Sequence, residues 1–143
     1  MTDFSHLQSL QVTSDKTAEY PLVEIEGDYV LVVRSANEGN KDYMNELLRL
    51  TGQGRGQRRA KVKVDIKAMD DMRDNDKILY PKHVIVGWKG VQDSKGKNVP
   101  FTAEAANDFI ASLPNWIFDG LRGFANDPEN FVLTIDSEDK AGN

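Results

Sequence analysis

His83-Val84-Ile85-Val86-Gly87-Trp88-Lys89-Gly90-Val91 opens the half of the chain on which the fold depends. The apolar run is closed by an aromatic and a glycine, crosses a polar turn to Val99-Pro100-Phe101, and leads into two helical patterns ending at Phe131. Both tryptophans and most of the aromatic area lie here, so any core is nucleated or completed in this half. Six apolar-leaning residues from His83 to Trp88 read as a strand by propensity or as a buried helix with Pro81 in its first turn, and periodicity does not separate the two.

Downstream, Asp93-Ser94-Lys95-Gly96-Lys97-Asn98 is a turn by composition. Thr102 is placed to cap a helix over Ala103 to Leu113, with Ala106, Phe109, Ile110 and Leu113 on one face and Glu104 favourable in its first turn. Pro114 ends it. Asn115 can cap a second helix, Trp116 to Ala125, with Ile117, Leu121 and Phe124 as its apolar face and Trp116 and Phe118 alongside. Asp127-Pro128 is a further cap-plus-proline start that presents Phe131, and residues 136–143 read as a disordered acidic tail.

Upstream, residues 1–20 show no sustained period and read as a flexible arm punctuated by Phe4, Leu7, Leu10, Val12 and Tyr20. Leu22-Val23-Glu24-Ile25-Glu26 and Tyr29-Val30-Leu31-Val32-Val33-Arg34 flank Gly27-Asp28, the pattern of a two-residue hairpin. Ser35 to Leu50 reads as a helix capped by Asn37 or Asn40, with Tyr43, Leu47 and Leu50 on one face and Met44 and Leu48 beside them. Gly52, Gly54 and Gly56 end it. Between Ala60 and Lys67 strand and helix periods compete; from about Asp65 the spacing of Met69, Met72, Ile78 and Leu79 favours helix, which Pro81 should stop or kink.

The 143 residues fit one domain, taken here as residues 21–135, and a chain of that size buries roughly 68–70% of its unfolded surface, enough for a core without staples. There is no cysteine, which excludes disulfides and thiolate chemistry. No apolar run approaches the roughly 20 residues that span a bilayer, so no membrane is expected as a partner. The start Met1-Thr2-Asp3-Phe4-Ser5-His6 has neither the basic nor the apolar region of a signal peptide, and a cytoplasmic location is expected. A net charge of −5 argues against wholesale phosphate-backbone binding. Arg55, Arg58, Arg59, Lys61, Lys63 and Lys67 form the one basic cluster; without interleaved aromatics it reads as a connector or a face for an acidic partner, and nucleic acid is not expected.

The acids Asp70, Asp71, Asp74 and Asp76, interleaved with Arg73 and Lys77, supply no calcium-loop frame and read as a solvent-facing helix side. His6 and His83 are the two histidines, neither at metal-ligand spacing, and no serine sits in a nucleophile elbow. No enzyme activity, metal or cofactor is expected. The aromatic residues remain: Trp88, Phe101, Trp116, Phe118 and Phe131 either fill a core or anchor an apolar helix or strand of a partner.

The segment from Val86-Gly87-Trp88-Lys89-Gly90-Val91 through Asp93, Gly96 and Val99-Pro100-Phe101-Thr102 to Glu104 resembles the Gly-Trp-x-Gly-Val…Gly…Val-Pro-Phe pattern of the tailed-phage tail assembly chaperones. Leu113-Pro114, Phe118, Ala125-Asn126-Asp127 and Asn130-Phe131 are similar to that pattern's sequel, and Val23-Glu24-Ile25, Asn40-Lys41-Asp42-Tyr43 and Gln57-Arg58-Arg59 follow its layout more loosely. Pro81 and the glycine-rich connector depart from it.

The resemblance implies a helix rather than a strand over His83 to Trp88 and a non-enzymatic helper made in the host cytoplasm. That helper would bind the tape-measure protein, keep it soluble until tail-tube subunits assemble around it, and be absent from the finished particle. A structural virion component, a minor tail or head–tail connector protein, is the alternative, and a homo-oligomer is compatible with either. The expected fold is α+β: an N-terminal β-hairpin followed by a mostly helical domain of four to five helices.

Overall fold

The computed structural model describes residues 2–10, 16–51 and 66–132, and the basic residues from Arg55 to Lys63, the glycines 52, 54 and 56, Val12, and the acidic tail lie outside them. In chain order these residues form β1 (Thr17–Pro21), β2 (Val30–Arg34), α1 (Lys41–Thr51), α2 (Ile66–Leu79), β3 (Ile85–Lys89), α3 (Ala103–Ser112) and α4 (Asn115–Asn126). Short 3-10 turns over Ser5–Leu10 and Pro128–Asn130 flank them. The α+β expectation holds: a small antiparallel sheet, ordered β1-β2-β3, carries a helical majority.

The sheet is built on β2, whose Leu31 and Val33 are fully buried while Val30, Val32 and Arg34 alternate onto the less covered face, the period-two pattern of a strand with one face on the core. β1 pairs with it from Thr17↔Arg34 to Pro21↔Val30. The hairpin therefore differs from the expected one. Its second strand lies where the sequence placed it, but its first is Thr17–Pro21, within the segment read as an arm, and residues 22–29 form the connection.

The physical reason lies in Leu22 and Ile25. Leu22 is buried and Ile25 partly so, three residues apart rather than two, and the Ile25 amide donates to the Leu22 carbonyl at 3.2 Å in a turn that points both inward. Gly27 has φ +123°, but as a member of this longer connection.

α1 starts at Lys41, later than Ser35, because Asn40 is its cap. Its Oδ1 accepts from the Tyr43 amide at 3.2 Å, while its Nδ2 donates to the carbonyls of Ser35 and His83. α2 follows the expected helix closely. Pro81 does not stop the chain in a loop; Tyr80–Val84 forms one wide turn in which the Ile85 amide reaches the Tyr80 carbonyl five residues back, a spacing that accommodates the imino residue.

The helix implied over His83 to Trp88 is corrected: Ile85–Lys89 is β3, paired with β2 at Leu31↔Trp88 and Val32↔Gly87 and bulged between Val32 and Val33. Propensity prevails because β2 offers a free edge to a β-branched run. Gly90, at φ +72°, follows directly; a Cβ there would stand 2.1 Å from the Asp28 carbonyl oxygen, so this glycine is required by close backbone approach.

In the expected turn, Asp93 Oδ1 accepts from the Lys95 and Lys97 amides and Gly96 takes φ +80°. Val99 then returns beside Val91, its carbonyl accepting from the Trp88 indole at 2.8 Å. Thr102 caps α3 through the Ala105 amide at 2.9 Å, and Ala106, Ile110 and Leu113 are buried as the spacing required. α4 is capped at Pro114 rather than Asn115, whose Oδ1 instead accepts from Lys77 Nζ. Asp127 caps the last turn through the Glu129 amide. The core lies where these helices meet the sheet, around Leu31, Val33, Tyr80, Val84, Ile110, Phe118, Leu121 and Phe131.

Candidate functional site

The five aromatic residues proposed as partner anchors separate into three groups. Phe118 and Phe131 are 0% and 2% exposed, which corrects their assignment: they are core residues, Phe118 stacked edge-on against Tyr80 at 5.3 Å and Phe131 against Phe124 at 6.0 Å. Trp88 and Phe101 are half-buried and pack edge-to-face at 5.2 Å, with Phe109 closing the cluster. Only Trp116, on the first turn of α4, stands in solvent, 66% exposed. The structure does not gather the five into one surface.

A different surface is gathered by α1 and α2. An open trough of about 1060 Å³ lies between them, walled by Tyr43, Met44 and Leu47 from α1, Met72 from α2 and Leu10 from the N-terminal turn, with Asp76, Tyr80 and Arg122 as its floor. Of these, only the helical spacing of Tyr43, Leu47 and Met72 was visible in sequence, where it signalled core.

The floor is an ionic network. The Tyr43 hydroxyl donates to Asp76 Oδ1 at 2.6 Å, Arg122 donates to Asp76 Oδ2 at 2.7 Å and to Asp119 at 3.0 Å, and Arg73 grips Asp119 with both Nε and Nη2. It crosses from α1 through α2 to α4, so a buried carboxylate that alone would be costly is satisfied from two sides. Burial, then the hydrogen bond to Asp76, pushes the Tyr43 hydroxyl well above the ordinary phenol range. The Arg73 fork holds the Asp119 carboxyl below its usual value. On the outer side of α1, His83 Nε2 lies 2.7 Å from Glu46 Oε1, with Lys82 and Arg49 also near that carboxylate. This hydrogen bond holds Glu46 below the ordinary carboxylate range.

Each of these charges has a structural partner. Among the described residues no group of three or more histidine, aspartate or glutamate side chains is arranged to hold a metal ion. No helix among them is long and apolar enough to cross a membrane.

Neither a curated protein nor a solved structure matches the chain. A family described as YdaY prophage protein matches residues 38–143, from just before α1 to the end, taking in both walls of the trough, β3, α3 and α4. The match agrees with the phage origin that the Gly87-Trp88 pattern implied, and it covers most of the sequence: this chain belongs to the YdaY prophage protein family.

Proposed function

We propose that the protein is a non-enzymatic phage tail assembly chaperone that binds the tape-measure protein in the host cytoplasm and keeps it soluble while tail-tube subunits assemble. One observation carries the reading: an acidic body leaves large apolar side chains bare on two adjoining helices, Leu48 and Leu50 on α1 and Ile66, Met69 and Met72 on α2, with Trp116 on α4. Uncovered apolar surface of this kind marks an interaction site, and net negative charge opposes aggregation of the complex. Phage origin and the motif around Trp88 and Phe101 agree with that role.

The test is co-expression with the tape-measure protein of the same prophage. The soluble fraction of that long partner should rise several-fold when this chain is present, and an unchanged fraction overturns the proposal. Mass spectrometry of purified particles separates the alternative, since a structural virion component would be found there at fixed copy number and a chaperone would be absent.

A further inference from the structure

We draw no further inference here: the strongest candidate, the outer face of α4 along which Trp116, Gly120 and Gly123 stand exposed, carries nothing because it is one aromatic ring beside a stripe of small residues and nothing in the structure shows what covers it.

Discussion

Tyr43 on α1 and Asp76 on α2 are joined by a 2.6 Å hydrogen bond at the floor of the trough, and the second carboxylate oxygen of Asp76 is held by Arg122 of α4. Three helices therefore share one buried carboxylate. Tyr43→Phe removes a donor and leaves that charge one bond short, so stability should fall by about 1–3 kcal/mol, the cost of an unsatisfied buried polar group. Urea unfolding of Tyr43→Phe, Arg122→Met and the double variant checks this: the two losses should be non-additive, because both act on Asp76.

Acid should loosen the same region. Glu46 and Asp119 are both held below their ordinary values of 4.5 and 3.8 by hydrogen bonds, from His83 and from Arg73 respectively. A folded-state value below the unfolded one means the contribution is full above the ordinary value and is lost as pH falls through the depressed one. The urea midpoint should therefore drop steeply below about pH 4.5, and Glu46→Gln with Asp119→Asn should lower the plateau at neutral pH and flatten that acid limb.

Gly90 and Gly96 both have positive φ, but only Gly90 faces backbone, a Cβ at 2.1 Å from the Asp28 oxygen against nothing within 4 Å at Gly96. Gly96→Ala should cost about 1–2 kcal/mol, the left-handed penalty alone, and Gly90→Ala distinctly more because the connection before β2 must also shift. Paired thermal melts of the two variants measure the difference.

The separation of the aromatic residues is open to spectroscopy and denaturation. In Trp116→Phe the remaining Trp88 emission should be blue-shifted and resist iodide, and in Trp88→Phe the Trp116 emission should be red and readily quenched. Phe118→Ala should cost about 3–5 kcal/mol as a core truncation, whereas Trp116→Ala should lie within about 0.5 kcal/mol of the parent chain. A small effect at Phe118 would contradict its place in the core.

How far the sequence carries depends on where each residue's strongest interaction lies. The capping bonds of Thr102, Asp127 and Asn40 each reach a backbone amide two or three residues on, and all three were legible as caps. α3 and α4 followed from spacing that matches one buried face each. β1 was missed because Thr17-Ala18-Glu19-Tyr20 has little apolar contrast and becomes a strand by pairing with β2. β3 was ambiguous for a related reason: His83 to Trp88 has no period of its own, and β2 decides it.

The candidate site was the least legible. Met69 and Met72 have the spacing of core residues, and only the three-dimensional arrangement shows that nothing among the described residues covers them. Asp76 read as one more solvent-facing acid because Arg122 and Tyr43 are distant in sequence. Trp116 was legible as an aromatic of interest, and Phe118, two residues on, as another; which side of α4 faces solvent separates them.

The central position of β2 has a practical bearing on how the protein can be dissected. The segment shared with the prophage family begins at residue 38, four residues after β2 ends at Arg34, yet β3 bonds to β2 alone in the sheet. Cutting at the boundary of the shared segment would strand β3 with both edges bare and strip Leu31 and Val33 from the interior. The shared portion is thus not a self-sufficient piece, and binding studies should retain the residues before it, Leu10 of the trough wall included.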